Sequence, residues 1–255
     1  LVFPNQTTAF TTTKNSSGID IRHSRNQIQQ NFPDSGSVMK NLHIDLVSDI
    51  ACPWCAIGYA RLEQAMDSIK DKVSVSIQWR AFELNPDPKL IPEPILPALS
   101  KKYGRSEDEM RASQQSMMQV AADLGLNFDK MQQRFTCNTF DAHRLVKWAA
   151  GFDKQTAMKQ VLFEAYFGFA EDVSKADVLQ KCAEKAGLNA DDALKVLQSE
   201  QFIDEVRTEE AQYQQAGISS VPAFVINQRY LISGAQDPAT LAASLLQIAD
   251  EMTTE

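Results

Sequence analysis

The sequence predicts an α/β fold whose two halves, one strand-helix-strand and one strand-strand-helix, are separated by a large all-helical insertion. Three observations predict it. Apolar alternation, then helical periodicity, then alternation again occupy residues 42–79. From about Glu107 to Gln215 the signals are almost entirely helical. Near the end, two short β-rich runs flank Asn227-Gln228-Arg229 and lead into a last helix.

Residues 1–38 are rich in Thr, Asn, Ser and Gln, with Thr11, Thr12 and Thr13 in a row and no helical or strand period. Such a segment buries too little apolar surface to offset its ordering entropy. It is expected to be a disordered leader, with a natural start at Met39. A targeting segment is the competing reading, but the leader has no continuous apolar stretch of the secretory kind.

Leu42, Ile44 and Leu46 alternate with His43, Asp45 and Val47 and read as the first strand. Ile57, Leu62, Ala65, Met66 and Ile69 give the helix that follows, and Val73 to Trp79 gives the second strand. Pro86, Pro88, Pro92, Pro94 and Pro97 fall close together and predict a wrapping loop. Helices are then expected around Met110 to Leu124, Phe140 to Ala149, Met158 to Tyr166, Val178 to Ala186, Ala190 to Leu197 and Phe202 to Gln215. Asn138-Thr139 reads as an N-cap, and Gly125, Gly151, Gly187 and Gly217 as stops. Val221 to Ile226 and Tyr230 to Gly234 form a predicted hairpin. Asp237-Pro238 opens the final helix, whose apolar face is Leu241, Leu245 and Ile248.

The chemistry concentrates at Cys52-Pro53-Trp54-Cys55, where the first strand ends and the first helix begins. Pro53 suits a first helical turn, because its missing N–H has no partner there to lose. Cys52 then lies at the helix N-terminus, where free backbone N–H groups and the dipole favour a thiolate. In such settings a thiol of pKa ~8.5 falls to roughly 3.5–7.5. Cys55, one turn on, can reach back to resolve a mixed disulfide. The expectation is a dithiol exchange site with Cys52 as nucleophile and Cys55 as resolver.

Two plainer readings compete. One is half of a structural zinc site, but such sites take four ligands, often as two pairs. Cys137 and Cys182 are isolated and the chain has only 3 His, so no metal is expected. The other is a pair of inert core thiols, which is the simplest reading of Cys137 and Cys182 themselves. Met110, Met117, Met118 and Met131 suit plain core better than an adaptable groove. His143-Arg144 is read as a buried hydrogen-bonded pair ahead of a catalytic or ligand-binding one.

A chain of 255 residues can bury a sizeable core, and 44% hydrophobic with 23% charged is an ordinary globular composition. A net charge of −8 argues against a nucleic-acid partner. No run of 18 apolar residues suggests a membrane span. With a start at Met39 the expected compartment is the cytoplasm, where an exposed CxxC is more often catalytic than structural.

Several stretches carry a family resemblance. They are Ser48-Asp49-Ile50-Ala51-Cys52-Pro53-Trp54-Cys55-Ala56-Ile57-Gly58 and Trp79-Arg80-Ala81-Phe82-Glu83-Leu84-Asn85-Pro86. Asn138 to Leu145, Gly217 to Val225 and Ser233-Gly234-Ala235-Gln236 continue the series in order. Over about residues 40–250 the chain resembles the thioredoxin-like proteins of the DsbA superfamily, FrnE-type group. The resemblance implies a thioredoxin-like fold at 39–85 and 217–255, with 86–216 as the helical insertion. It also implies a cis Pro222 facing the cysteines and a Val221 backbone that pairs with an extended substrate. With Pro53 and Trp54, these are the expected substrate-binding residues.

The implied activity is thiol–disulfide oxidoreduction or isomerisation on protein or small-thiol substrates. No cofactor is required, glutathione is an available electron partner, and homodimerisation is left open. Kappa-class glutathione transferases and 2-hydroxychromene-2-carboxylate isomerases are similar, but carry Ser where Cys52 stands. A glutathione-dependent isomerase or transferase is therefore the alternative. Trp54 cannot add the positive charge a His would bring, so a less oxidising pair than in the strongly oxidising relatives is expected.

Overall fold

β1 (Lys40–Ser48) is the strand on which the sheet is built. A computed structural model describes residues 39–252, and the expected leader lies outside the described residues. β1 pairs in parallel with β2 (Val73–Ala81), from Lys40 opposite Val73 to Ser48 opposite Ala81. On its other side it pairs antiparallel with β3 (Ala223–Ile226), and β3 carries β4 (Tyr230–Ser233) as the edge. The order is β2-β1-β3-β4. The hairpin turn holds Asn227 and Gln228 at φ 50° and 57°, the two positive values a tight primed turn needs.

Strand alternation gives the sheet two different faces. Leu42, Ile44 and Leu46 of β1, with Phe224 and Ile226 of β3, enter the large apolar core. Val47, Ala223 and Val225 point the other way, into a small cluster with Phe82, Tyr213 and Ile218. Asp45, two residues before Val47, lies on that second face.

α1 (Pro53–Ile69) crosses from β1 to β2 and buries Cys55, Ile57, Leu62, Ala65 and Ile69. α9 (Pro238–Glu251) packs beside it, started by Asp237, whose carboxylate accepts from the Thr240 N–H. Between β2 and β3 lies the helical block. It comprises α2 (Ile95–Tyr103), α3 (Glu107–Asp123), α4 (Phe140–Ala149) and α5 (Gln155–Phe163). α6 (Ala176–Lys185), α7 (Ala190–Leu197) and α8 (Ile203–Gln215) complete it. The expected limits of this block, 86 and 216, fall in the loops after β2 and before β3.

The block packs on the sheet: Leu145, Met158, Leu162 and Phe167 share one core with Leu42, Ile44 and Leu46. Among the described residues, no helix is long and apolar enough to cross a membrane.

Three expectations need correction. The proline-rich stretch was expected to be loop throughout, yet α2 begins at Ile95 and keeps Pro97 in its first turn. The first amides of a helix have no internal acceptor, so a proline there removes no bond. The helix expected to run through Tyr166 ends as α-helix at Phe163 and continues as one π turn over Glu164–Gly168. The strand expected from Val221 begins instead at Ala223, opposite Val47.

Candidate active site

Cys52 is the N-cap of α1, at φ −93° and ψ 110°, and Pro53 follows as the first helical residue. The local sequence dictates this, because proline at the first position terminates the strand side and starts the helix. Cys52 is 5% exposed and Cys55, one turn on, is fully buried; both are free thiols. The Cys55 N–H donates to the Cys52 carbonyl at 3.0 Å. Burial pushes the Cys55 thiol well up, and contact with the charge of Cys52 pushes it further.

The Val221–Pro222 bond is cis, as the resemblance implied, and faces this pair. The Cys52 thiol points at the Val221 carbonyl at 3.6 Å. The Pro222 carbonyl is held by the Gly234 N–H at 2.8 Å. Gly58 lets α1 come this close: a Cβ there would sit 3.0 Å from Pro222 Cγ and 3.3 Å from Ala235 Cβ. Arg61 Nη1 donates to the Ala235 carbonyl at 2.6 Å and ties the same helix to the same loop. Trp54, 40% exposed, stands at the mouth, with Pro53 half-buried beside it. Cys52, Cys55, Val221 and Pro222 are thus brought together, and Trp54 faces outward.

Asp49 forms the floor, 1% exposed. Its Oδ1 accepts from the Ala51 N–H at 3.1 Å and the Thr139 hydroxyl at 2.8 Å, and its Oδ2 from the Leu84 N–H at 2.7 Å. His143 Nε2 lies 3.5 Å from Oδ1. Burial raises this carboxyl, but His143 and the Leu84 and Thr139 bonds outweigh it and hold it below the ordinary value. The expected Asn138-Thr139 cap is therefore divided. Asn138 Oδ1 takes the Phe140 N–H at 2.9 Å, and Thr139 spends its hydroxyl on Asp49 instead of on α4.

Lys159 of α5 lies in the core at 1% exposure. Its Nζ is 5.1 Å from the ring centroids of both Trp79 and Phe163. Gln155 and Thr156, one turn earlier, fix the helix to β2: Gln155 Oε1 accepts from the Trp79 N–H at 3.2 Å, and Trp79 Nε1 donates to Thr156 Oγ1 at 2.9 Å. Burial lowers the Lys159 ammonium to about 8, against the favourable charges of Cys55, Asp49 and Cys52. Sequence reasoning gave Asp49 and Lys159 no role. The signal for Lys159 was present: Gln155, Met158, Lys159, Leu162 and Phe163 form one buried stripe, and a lysine stands within it.

The other singled-out residues have structural fates. Arg144 donates to the carbonyls of Val196, Leu197, Ser199 and Gln201 and pins the end of α7. It thereby parts company with its neighbour His143, which serves Asp49. Burial pushes the Cys137 and Cys182 thiols each up to about 12. Met131 is in the main core, Met117 and Met118 pack against it, and Met110 joins Ile95 and Leu96 in a satellite. Among the described residues, no group of three His, Cys, Asp or Glu is placed to hold a metal ion.

Known proteins share this family and fold. The DSBA-like thioredoxin domain matches residues 43–246. The chain is 30% identical over 189 residues to "Uncharacterized protein YwbO" of Bacillus subtilis, covering 72% of this chain and 86% of that protein. It is similar to the crystal structure of the probable DsbA oxidoreductase SCO1869 of Streptomyces coelicolor, at 33% identity and a TM-score of 0.76, over 81% of this chain and 89% of that one. A 2-hydroxychromene-2-carboxylate isomerase shares the fold at 13% identity and a TM-score of 0.62, over 83% and 98% of the two chains. With the family matched across most of its length and its sheet, cis proline and helical block in place, this chain belongs to the DSBA-like thioredoxin family.

Proposed function

We propose that the protein exchanges disulfides through the Cys52–Cys55 dithiol. The observation that carries this reading is the Cys52 thiol at the start of α1, aimed at the Val221 carbonyl beside Pro222, with Cys55 buried one turn behind. Cys52 is the more accessible sulfur of the pair, 5% exposed where Cys55 is fully buried. It attacks a substrate disulfide, one substrate sulfur leaves, and Cys55 displaces the other from the mixed disulfide.

Val221 and Trp54 line the approach. An extended peptide or a small thiol laid along Val221 would place its disulfide against Cys52, by the main-chain pairing that sheet edges offer. Trp54, apolar and exposed, is suited to contact an apolar substrate flank. Glutathione suits the electron partner, as a small thiol that needs no dedicated cofactor pocket. Likeness to the Streptomyces oxidoreductase supports the class of reaction.

Reduction of insulin or of an aromatic disulfide tests this. Cys52→Ser should lower turnover at least about 1,000-fold, because the hydroxyl at neutral pH is no substitute for a thiolate. Cys55→Ala should leave the first attack intact and accumulate a mixed disulfide on Cys52, visible by mass spectrometry. Turnover that survives Cys52→Ser overturns the reading and leaves a binding or glutathione-transfer role.

A further inference from the structure

The sheet face turned away from α1 carries a second group of side chains with nucleophilic chemistry. His43 of β1 and Ser76 of β2 stand opposite each other in the parallel ladder, so their side chains share that face. Asp45 joins them two residues further along β1. Ser76 Oγ lies 3.0 Å from His43 Nδ1, and His43 Nε2 lies 3.3 Å from Asp45 Oδ1. Asp45 is buried, Ser76 is exposed, and the His43 side chain is 40% exposed.

We propose that Ser76, His43 and Asp45 form a second catalytic site that hydrolyses small, unhindered esters through an acyl-Ser76 intermediate. The site goes beyond disulfide exchange and does not depend on it.

The hydrogen bonds assign the roles. Asp45 pairs with Arg80 Nε at 2.7 Å, and a carboxylate can only accept. The nitrogen that faces it, His43 Nε2, is then the one that carries the ring proton. Nδ1 is left with its lone pair toward the Ser76 hydroxyl. Nucleophile, base and positioning carboxylate thus stand in the order that acyl transfer needs. A competing contact of Ser76 Oγ with the Leu42 carbonyl is long, at 3.4 Å. The main chain is held too. Asn227 Oδ1 accepts from the His43 N–H at 2.7 Å, and the Asn227 N–H donates to the His43 carbonyl at 2.8 Å.

A donor for the substrate carbonyl comes next in the chain. β2 is an edge strand. Even-numbered positions turn toward β1, as the Lys72 carbonyl does in accepting from the Lys40 N–H at 3.3 Å. Odd-numbered amides point off the free edge, where the Trp79 N–H meets Gln155 and the Ala81 N–H meets Glu209. The Ile77 N–H follows the same alternation. It is the amide directly after the nucleophile, a position from which hydrolase backbones donate to the developing oxyanion.

The reaction balances without any change of oxidation state. Ser76 Oγ attacks the ester carbonyl carbon, and its proton passes to His43 Nδ1. The bond to the alcohol oxygen breaks, and His43 returns the proton to that oxygen. Water then attacks the acyl-serine, gives a proton to His43, and Ser76 Oγ leaves and takes it back. Asp45 keeps its charge throughout. Arg80 shares the Asp45 oxygen that faces His43, so the imidazolium gains less from it and the rate is modest.

Hydrolysis of p-nitrophenyl acetate by the full chain tests this, in a Cys52→Ser background because a thiolate also attacks activated esters. Adding Ser76→Ala should lower hydrolysis at least about ten-fold, short of the roughly hundred-fold or more of a well-placed general base. Adding His43→Ala should do the same, and added imidazole should restore activity, which a merely structural ring would not allow. Acid-quenched protein should carry acetyl on Ser76 by mass spectrometry. With both cysteines present, Ser76→Ala should leave insulin reduction within about two-fold.

Hydrolysis unchanged in Ser76→Ala, no rescue of His43→Ala by imidazole, or acetyl found only on other residues overturns the proposal. So does loss of insulin reduction in Ser76→Ala, which would make the serine a support of the fold. Melting curves control for folding. If either variant does not fold, a fluorophosphonate probe on the Cys52→Ser chain decides: an adduct on Ser76 upholds the site, and its absence overturns it.

Discussion

The two faces of the sheet bury charge in opposite ways. On the face toward α8, Arg80 bonds Asp45 at 2.7 Å and Glu209 at 2.8 Å, and Lys147 reaches the same Glu209 oxygen at 2.7 Å. The other Glu209 oxygen takes the Ala81 N–H at 2.9 Å. Charges there are matched, and the network fastens β1, β2, α4 and α8 together. On the face toward α1, a dithiol and a lysine sit among aromatic rings, and the carboxylate nearby, Asp49, is occupied with amides, Thr139 and His143. Matched charges have no use for a change of protonation. The side with fewer ion pairs is the side that carries the sulfur.

Breaking the matched side should therefore hurt stability and spare chemistry. Glu209→Ala leaves Arg80 and Lys147 short of a counter-charge and the Ala81 amide without its acceptor. Removing one partner of a buried pair costs about 3–5 kcal/mol. We expect the low end, about 3 kcal/mol by urea unfolding, because Lys147 is partly exposed. The rate of Cys52 alkylation in the folded variant should stay within about two-fold. An alkylation rate that falls in step with stability would show that the two faces are not separable.

A smaller effect is expected where the two sides of the site meet. Gly58→Val places carbon within the van der Waals distance of Pro222, where even a Cβ stands at 3.0 Å from Cγ. Overpacking of this kind costs about 1–3 kcal/mol. Because the strain falls on the proline beside Cys52, turnover should drop about ten-fold beyond any loss of folded protein. Unchanged turnover at reduced stability would mean that the Pro222 approach tolerates displacement.

The sequence made some of this readable and hid the rest for physical reasons. Period-two alternation at 42–47 and 73–79 disclosed the central strands, because each strand packs one side chain in two against the core. The proline after Cys52 disclosed the start of α1, because few other positions in a helix accept it. Pro97 hid α2 for the same reason turned around: a proline in a first turn looks like a breaker unless the start is already known. Thr139 reads as a cap because nothing local reveals that its hydroxyl is claimed by Asp49, ninety positions away in the chain. The meeting of Cys52 with Val221, 169 positions apart, is a product of strand order and came to the sequence reading only through family likeness. Lys159 was written in the pattern as a polar residue in an apolar stripe, but that pattern does not say what surrounds it.

The smallest effect expected concerns the one mismatch on the paired side. Glu83 and Glu210 are both buried, Arg207 serves both, and Glu210 Oε1 has no hydrogen-bond partner. Burial first, and the charge of Glu83 second, push the Glu210 carboxyl up to about 7. The folded protein thus binds a proton here more readily than the unfolded chain, whose glutamate titrates near 4.3. Stability from this group is gained as pH falls from 7 toward 4.3, and the buried carboxylate weighs fully against folding above 7. Glu210→Gln supplies a neutral amide that can donate to Glu83. It should raise stability by about 1–2 kcal/mol at pH 8 and change it little at pH 4.5. Urea unfolding across that range checks it, and parallel curves for variant and wild type would show that the pair holds no proton.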